Sequence, residues 1–211
     1  MTLTKTRLTF DQFLNYDFPE EGRYELVNGE IMRIQATRKH DNLADFLTRK
    51  LDQEVERLNL NYRVSGRISI RTVTTSGKEQ GRVPDVSVVD KNLWDANLSA
   101  YTAFIEPLQL AVEIVSTNWE DDYIDKLEEY QRLGISEYWI VDYLAIGSRN
   151  YLGNPKEPTI FVYILNEQGI YQPNAYRDTD IIISPTFPEL NITVDQVLNC
   201  LTPYCKVLYP L

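Results

Sequence analysis

The longest amphipathic pattern in the chain runs from His40 to Leu58. Its apolar residues recur at spacings of three and four, which is typical of one face of an α-helix: Leu43, Phe46, Leu47, Leu51, Val55 and Leu58. The pattern therefore predicts an amphipathic helix with His40 in its first turn. A shorter lead-in helix is predicted from Thr9 to Phe18, with Thr9 or Asp11 as its cap and Pro19 after its end.

An N-terminal β-hairpin is predicted between Arg23 and Ile34. Asn28-Gly29 separates two β-prone runs there, and both turn residues tolerate the positive φ of a two-residue hairpin turn. This turn would place Glu25 opposite Met32 on a mostly apolar face of the ladder. Glu25 is then either a residue of a frayed edge or a residue of a functional site.

Alternating or continuous apolar runs predict several further strands. These are Tyr62–Val73, Arg82–Asp90, Leu108–Val115, Glu137–Asp142, Thr159–Leu165, Gly169–Tyr176 and Thr179–Ser184. The runs that begin at Thr159 and Gly169 predict a C-terminal hairpin, residues 74–81 read as a loop, and residues 91–106 read as a loop with a short turn of helix. Proline is tolerated at the first position of a strand, so Pro84 places Asp85 at a strand entrance. A closing helix is predicted from Val194 to Leu201.

One carboxylate interrupts the most apolar of these strands. Leu108–Val115 is predicted to be covered on both faces, and only Gln109 and Glu113 are polar within it. An ionised, unpaired glutamate in such a strand would be unfavourable by several kcal/mol. Glu113 therefore requires a metal ion, a lysine or a proton as its partner.

A lysine occupies the apolar stripe of the helix that follows. Asn118 is a suitable cap for this helix and Gly134 terminates it. At 100° per residue, Lys126 lies among the aromatic and apolar side chains of the inner face. The alternative is a surface lysine that pairs with Asp122 and Glu129, one turn away on either side.

Strand, helix and strand in this order predict a right-handed parallel βαβ unit. The whole pattern predicts an α/β fold with a mixed central β-sheet, flanking helices and a hairpin near each end. At 211 residues, with 43% hydrophobic residues, the chain fits a single domain over residues 1–211. The absence of a signal peptide or a membrane-length apolar run favours a soluble, cytoplasmic protein.

The charge and the cysteine content narrow the function classes. With 31 acidic and 21 basic residues the net charge is −10, so a nucleic-acid partner would need a local basic patch. Two cysteines, Cys200 and Cys205, and one histidine are too few for a structural zinc site. His40 is then either a packed or capping residue or a catalytic one.

Three charged groups are expected to share one layer of the fold: Asp85, Glu113 and Lys126. Two carboxylates and the backbone carbonyl of Ile114 form an oxygen set suited to Mg²⁺, which keeps several waters and takes one or two protein carboxylates. A nearby lysine would stabilise the charge that develops on a phosphate. The chemistry that this set favours is metal-dependent phosphodiester hydrolysis.

The same residues resemble the Uma family of restriction endonucleases, within the PD-(D/E)xK nuclease superfamily. The resemblance rests on Pro84-Asp85, on Val112–Ser116, on Asp125-Lys126-Leu127 with Tyr130, and on Gly134–Asp142 with its Gly-x-x-Glu-Tyr-Trp segment. It also includes Tyr24–Glu30 and the helix of His40, so it covers roughly residues 10 to 200. The ordered series is far more specific than any of its pieces.

The resemblance implies a restriction-endonuclease-like fold and a DNA substrate. It implies Asp85 and Glu113 as metal ligands, with Mg²⁺ or Mn²⁺ as the metal, and Lys126 as the catalytic lysine. Val115 stands where the parent motif has its lysine, so Lys126 would be a lysine that has moved onto the next helix. Glu25 would add a third carboxylate, and Tyr130 would position a water or pack.

Two other classes of function are weighed beside the endonuclease. A nuclease-fold protein without catalysis would act by binding DNA or a protein partner, and the net charge of −10 favours that class. Few basic residues are expected near the site: Arg67, Arg71, Lys78, Arg82 and Lys91. A structural oligomer subunit is the third class, and Trp94 or Tyr101 could form the face of a homodimer.

Overall fold

A computed structural model describes residues 7–200 of the chain. The helices in this part are α1 (Phe10–Leu14), α2 (Arg38–Leu58), α3 (Lys91–Asp95), α4 (Lys126–Leu133), α5 (Arg149–Leu152) and α6 (Val194–Leu198), and a π-helical segment (Asp121–Asp125) leads directly into α4. The strands are β1 (Arg23–Val27), β2 (Glu30–Ile34), β3 (Tyr62–Ser65), β4 (Ser69–Val73), β5 (Glu79–Arg82), β6 (Val86–Asp90), β7 (Ala103–Phe104), β8 (Leu110–Ile114), β9 (Glu137–Asp142), β10 (Thr159–Leu165) and β11 (Tyr171–Tyr176).

The strands form two mixed sheets, which we call the large sheet and the small sheet. The large sheet has six strands in the order β11-β10-β9-β8-β6-β3, and the small sheet has five in the order β2-β1-β5-β4-β7. In the large sheet β8 and β9 are parallel, as the predicted βαβ unit requires, and β10 and β11 form the predicted antiparallel hairpin. The α/β prediction is confirmed, with two sheets in place of one central sheet.

The large sheet is covered on both faces. One face packs on α2 and α6, and the other packs on α4 and α5 with the aromatic side chains around them. Because successive side chains of a strand point to opposite faces, β8 contributes Leu110, Val112 and Ile114 to the first core. Ala111 and Val115 belong to the second core, so Glu113 lies on the face that α4 covers.

The N-terminal hairpin has the predicted register. Asn28 and Gly29 have φ values of 54° and 81°, and Glu25 lies opposite Met32. Thr9 caps α1 through a capping box, although α1 ends at Leu14, before the predicted Phe18. In the closing helix α6, Thr193 makes the equivalent capping box.

Two strand predictions and one loop prediction are corrected. The run from Tyr62 to Val73 is divided between β3 of the large sheet and β4 of the small sheet, and the break lies around Gly66. A Cβ at Gly66 would lie 2.7 Å from the carbonyl oxygen of Asp85, so the close approach of two backbones at this break requires glycine. Residues 74–81, predicted as a loop, include most of β5, and residues 179–184 make only an isolated bridge from Ile181 to Thr193.

Two further findings concern a possible membrane span and the cysteines. None of the helices within residues 7–200 combines the length and the apolar character that crossing a bilayer demands. Cys200 carries a free thiol, and Cys205 lies outside the described residues.

Candidate active site

Asp85 lies in the link that joins the two sheets, between the end of β5 and the start of β6. Its Oδ2 accepts hydrogen bonds from the backbone N–H of Ile114 at 2.9 Å and from His40 Nε2 at 3.1 Å. Its Oδ1 lies 3.3 Å from Arg23 Nη1. The Asp85 carboxylate is therefore held against β8, beside the C-terminal end of that strand.

Glu113 is buried between β8 and α4, as its strand predicts. Its Oε1 accepts a hydrogen bond of 2.5 Å from the Tyr130 hydroxyl, and its Oε2 lies 2.9 Å from Lys126 Nζ. The Tyr130 ring packs edge-on against Tyr138, with 5.0 Å between ring centroids. Tyr130 thus packs in the second core and also orients the carboxylate of Glu113.

Lys126 is buried, with 7% of its surface exposed. Besides Glu113 it contacts Asp122, whose Oδ1 lies 3.0 Å from Nζ. The surface-lysine alternative was thus right about the Asp122 pair but wrong about exposure. It was also wrong about Glu129, which pairs with Arg82. Asp122 lies in the π-helical segment, a wider turn than that of an α-helix and one that is frequent at functional sites.

These groups line one small cavity. It has a volume of about 130 Å³, and its lining includes Glu25, His40, Asp85, Glu113, Asp122 and Lys126. A cavity of this size and polarity has room for several waters or a partly hydrated ion. The predicted set of Asp85, Glu113 and Lys126 is thus brought together, with Glu25 and the two residues His40 and Asp122 around it.

The burial of the charges governs their protonation. Burial raises the pKa of Glu113 well above its usual range, although the charge of Lys126 opposes the shift. Burial also raises the pKa of Asp122, to about 6. Burial lowers the pKa of Lys126, but the charges of Asp122 and Glu113 outweigh it and raise that pKa well above the ordinary lysine value. Lys126 is therefore a cation at neutral pH.

Asp85 and His40 form a second coupled pair. Burial alone would raise the pKa of Asp85, yet the hydrogen bond and the charge of His40 lower it. Burial lowers the pKa of His40, but the hydrogen bond to Asp85 and the charge of that carboxylate raise it. The net shift of the His40 pKa is upward. Thr37 caps α2 at the backbone N–H of His40, so His40 is both part of a capped first turn and a direct partner of a site carboxylate.

Glu25 lines the cavity, but both of its carboxylate oxygens contact groups outside the Asp85, Glu113 and Lys126 set. Its Oε1 accepts the backbone N–H of Val83 at 3.0 Å, and its Oε2 lies 3.3 Å from Arg82 Nη1. Arg82, only 1% exposed, also pairs with Asp121 at 3.1 Å and forms a two-pronged contact with Glu129 at 2.9 and 3.0 Å. This network ties β1 and β5 of the small sheet to the helix that carries Lys126.

Sequence reasoning named Asp122 only as a surface partner of Lys126 and Arg82 only as a basic residue near the site, and it gave neither a role in the site. Asp122 stands four residues before Lys126, a spacing that indicates a pair but does not tell a buried pair from an exposed one. Arg82 was expected only as one of a few basic residues near the site, whereas its guanidinium is buried and enclosed by carboxylates. Neither position is distinguished by its neighbours in sequence, since the burial comes from contacts between distant elements.

A family match and a fold match relate the chain to known proteins. The family Uma2, described as "putative restriction endonuclease", matches residues 10–195. The chain belongs to this family. The predicted family resemblance is confirmed, and the description of the family supports nuclease activity in general.

A solved structure has the same fold as this chain. It is a crystal structure described as a "putative nuclease belonging to DUF820" from Anabaena variabilis. The two folds superpose with a TM-score of 0.67 at 18% identity, over 92% of this chain and 99% of that chain. At this identity the likeness demonstrates the fold, which confirms the restriction-endonuclease-like prediction. No curated protein sequence matches the chain.

Proposed function

We propose that this Uma2 protein is a metal-dependent DNA endonuclease that hydrolyses phosphodiester bonds in the cavity between β8, α2 and the π-helical segment. The observation that carries the proposal is the meeting of Asp85, Glu113 and Lys126 in one buried cavity, although they belong to three separate parts of the chain. Burying several charged side chains in one cavity is unfavourable, and buried ion pairs add little to the stability of the fold. A catalytic role therefore explains this cluster better than a stabilising role does.

The donor set fits a hard divalent cation. Asp85, Glu113 and the carbonyl of Ile114 would hold Mg²⁺, with Mn²⁺ as a substitute, and waters would complete the coordination. Residues 7–200 contain no group of three or more acidic, histidine or cysteine side chains arranged as a metal cage, so an ion held entirely by side chains is not the expectation. When bound, such an ion polarises a phosphoryl oxygen and lowers the pKa of a water.

Lys126 would bind the scissile phosphate. Its hydrogen bonds to Glu113 and Asp122 use two of the three N–H donors of the ammonium group. The third donor would bind a phosphoryl oxygen and stabilise the charge that grows there as a water oxygen bonds to phosphorus and one P–O ester bond breaks. Tyr130 holds Glu113 in place, and the Arg82 network gives Glu25 a positioning role, as a carboxylate that shapes the cavity next to the metal ligands.

The proposal is tested by plasmid nicking with Mg²⁺ or Mn²⁺. Wild-type protein should convert supercoiled plasmid to open-circle or linear DNA, and Glu113→Gln should lose this activity. The matched control is Glu137→Gln, because Glu137 is also a buried strand carboxylate but binds Trp139, Ser184 and Thr186 away from the cavity. Cleavage that is absent in the wild type, independent of metal, or equal in Glu113→Gln would reject the endonuclease.

A nuclease fold without catalysis is the second candidate, and one observation favours it. Each site carboxylate already has a cationic partner, Lys126 for Glu113 and His40 with Arg23 for Asp85, so a metal must compete with these contacts. Calorimetric titration with Mg²⁺ separates the two candidates. Metal uptake that Asp85→Ala abolishes would support the endonuclease, and no uptake would support a binding module.

The state of assembly and the domain organisation stay predictions. Tyr101 is 57% exposed, as a homodimer face would need, whereas Trp94 is partly buried and packs under the guanidinium of Arg63 at 4.8 Å. Sedimentation at several protein concentrations would test the homodimer. Limited proteolysis would test the single domain over residues 1–211, since a second domain would survive as a separate fragment.

A further inference from the structure

A groove of about 780 Å³ lies beside the candidate active site. It shares Val83 and Asp85 with the site cavity, so the two spaces meet at the metal-ligand candidate of the link. We call it the side groove. Pockets of about 300–1,000 Å³ hold small organic groups, so the side groove is large enough for a nucleotide.

Two arginines line the side groove. Arg67 is exposed, and its guanidinium makes no ion pair among residues 7–200. Arg23 is one-third exposed, at 32% of its side chain, and donates to the carbonyl of Val83 at 3.1 Å as well as to Asp85. These contacts hold the Arg23 guanidinium beside Asp85. A phosphate group next to the scissile one would therefore meet two cations.

An aromatic wall faces the same space. The rings of Phe18 and Tyr24 are stacked, with centroids 4.3 Å apart and planes inclined by 20°. Phe13 lies at the base of the side groove but is only 3% exposed, and it supports Phe18 edge-on at 5.7 Å, so the surface of the wall comes from the partly exposed Phe18 and Tyr24. Because their neighbours hold these rings in place, a flat heteroaromatic group can stack on them without ordering them first.

Besides Asp85, three carboxylates line the side groove: Glu21, Asp41 and Asp45. Asp41, in the first turn of α2, is exposed and makes no ion pair among the described residues. Phosphate would be repelled there, whereas the amino group of cytosine would donate a hydrogen bond to the carboxylate. With Arg23, Arg67 and Asp41 in its lining, the side groove suits a ligand with an anionic part and an amino-bearing aromatic part.

We propose that the side groove binds an unpaired nucleotide of a DNA strand, with its base on the aromatic wall and its phosphate at Arg23 and Arg67. A base inside a duplex is stacked on both faces and cannot reach such a wall, so the nucleotide must be unpaired or extruded. This inference rests on the proposed function, because it places the neighbouring phosphate of the same strand at Asp85 and Glu113. It names the substrate class as DNA that contains an unpaired base.

The test is a binding measurement that requires no cleavage. Fluorescence anisotropy of wild-type protein in EDTA would compare a short labelled duplex, the same duplex with one mismatched cytosine, the same duplex with one mismatched thymine, and the single strand. The mismatched and single-stranded DNAs should bind about tenfold or more tightly than the perfect duplex, since one stacked base contributes that much or more. Equal affinity for all four DNAs would overturn the proposal.

Three variants assign the binding to the side groove. Arg67→Ala should weaken binding of every DNA, Asp41→Asn should abolish the preference for cytosine over thymine, and Phe18→Leu should reduce the preference for unpaired bases by about 5- to 100-fold. Arg67 and Asp41 are exposed, so these two variants keep the test valid even if Phe18→Leu does not fold. The matched control is Arg57→Ala, because Arg57 is an exposed arginine at the far end of α2.

The two proposals fail separately. Loss of affinity in Arg57→Ala as large as in Arg67→Ala would overturn the side groove, whatever the plasmid assay shows. Preferential binding of unpaired DNA without metal-dependent cleavage would support the side groove and reject hydrolysis. Metal-dependent nicking without any preference for unpaired DNA would support hydrolysis and reject the side groove.

Discussion

Replacing Lys126 with methionine should destabilise the protein far more than removing a surface lysine. The side chain is 7% exposed, and its Nζ forms hydrogen-bonded ion pairs of 2.9 Å with Glu113 and 3.0 Å with Asp122. Methionine fills a similar volume but leaves two buried carboxylates without their cation. Removing one partner of a buried ion pair costs about 3–5 kcal/mol in the free energy of unfolding.

The loss should grow with pH. Burial already raises the pKa of Asp122 to about 6 and that of Glu113 well above its usual range with the lysine present. Without Lys126 both pKa values rise further in the folded state, so the folded protein binds more protons than the unfolded chain above the unfolded pKa values of about 4. A raised folded pKa gives stability that is complete below the unfolded pKa and is lost as pH rises through the folded pKa. Lys126→Met should therefore be closest to wild type near pH 5 and furthest from it near pH 8.

Urea denaturation followed by tryptophan fluorescence measures both effects, since Trp139 is buried in the large-sheet core. The control is Lys91→Met, which removes an exposed lysine paired with Asp95 and should cost less than about 1 kcal/mol. The double variant Glu113→Gln with Lys126→Met should recover about 1–3 kcal/mol of the single-variant loss, as contacting residues do. A loss in Lys126→Met no larger than in Lys91→Met, or one that does not change with pH, would refute the burial of this ion cluster.

Three further substitutions test the groups around the site. Arg82→Met leaves Glu129 and its neighbouring carboxylates unpaired and should lower the free energy of unfolding by about 3–5 kcal/mol, and a loss below about 1 kcal/mol in urea denaturation would contradict the network. Gly66→Ala brings a Cβ to 2.7 Å from the Asp85 carbonyl, so it should cost about 1–3 kcal/mol and slow nicking, and an unchanged nicking rate would show that the link tolerates displacement. Tyr130→Phe removes a hydrogen bond to the buried glutamate of β8 and should cost about 1–3 kcal/mol in thermal or urea unfolding, whereas an unchanged stability would mean that the ring only packs.

The sequence was informative where a local pattern has one structural solution. Asn28-Gly29 determined a hairpin and its register, and therefore the place of Glu25 opposite Met32. Glu113 in an apolar strand indicated a buried carboxylate in need of a partner. These predictions depend on neighbours within a few residues, which a single sequence contains. Helical spacing left Lys126 either on the inner face or on the surface, and the family resemblance favoured it as the lysine of the site.

Other features depend on contacts between distant segments. The alternation from Tyr62 to Val73 is continuous, so nothing in its polarity indicates that the chain changes sheets at Gly66. The exposure of a charge is equally hidden: Arg82 and Arg67 both follow glycine residues in polar surroundings, yet one is enclosed by carboxylates and the other is free in solvent. The π-helical segment was also unpredicted, because the spacing of its residues is compatible with an ordinary α-helix.

The link from Val83 to Asp85 connects the candidate site to the contact between the two sheets. The chain leaves the small sheet at Arg82 and enters the large sheet at Val86, so Asp85 lies on the joint between them while Glu113 belongs to the large sheet alone. A ligand bound by both carboxylates would stabilise the position of the small sheet against the large sheet. Slower amide hydrogen exchange in β1 and β5 would then report ligand binding without any catalysis. By thermodynamic reciprocity, close contact between the sheets would strengthen ligand binding by the same free energy with which the ligand stabilises that contact. Ligand binding and the contact between the two sheets would therefore be coupled.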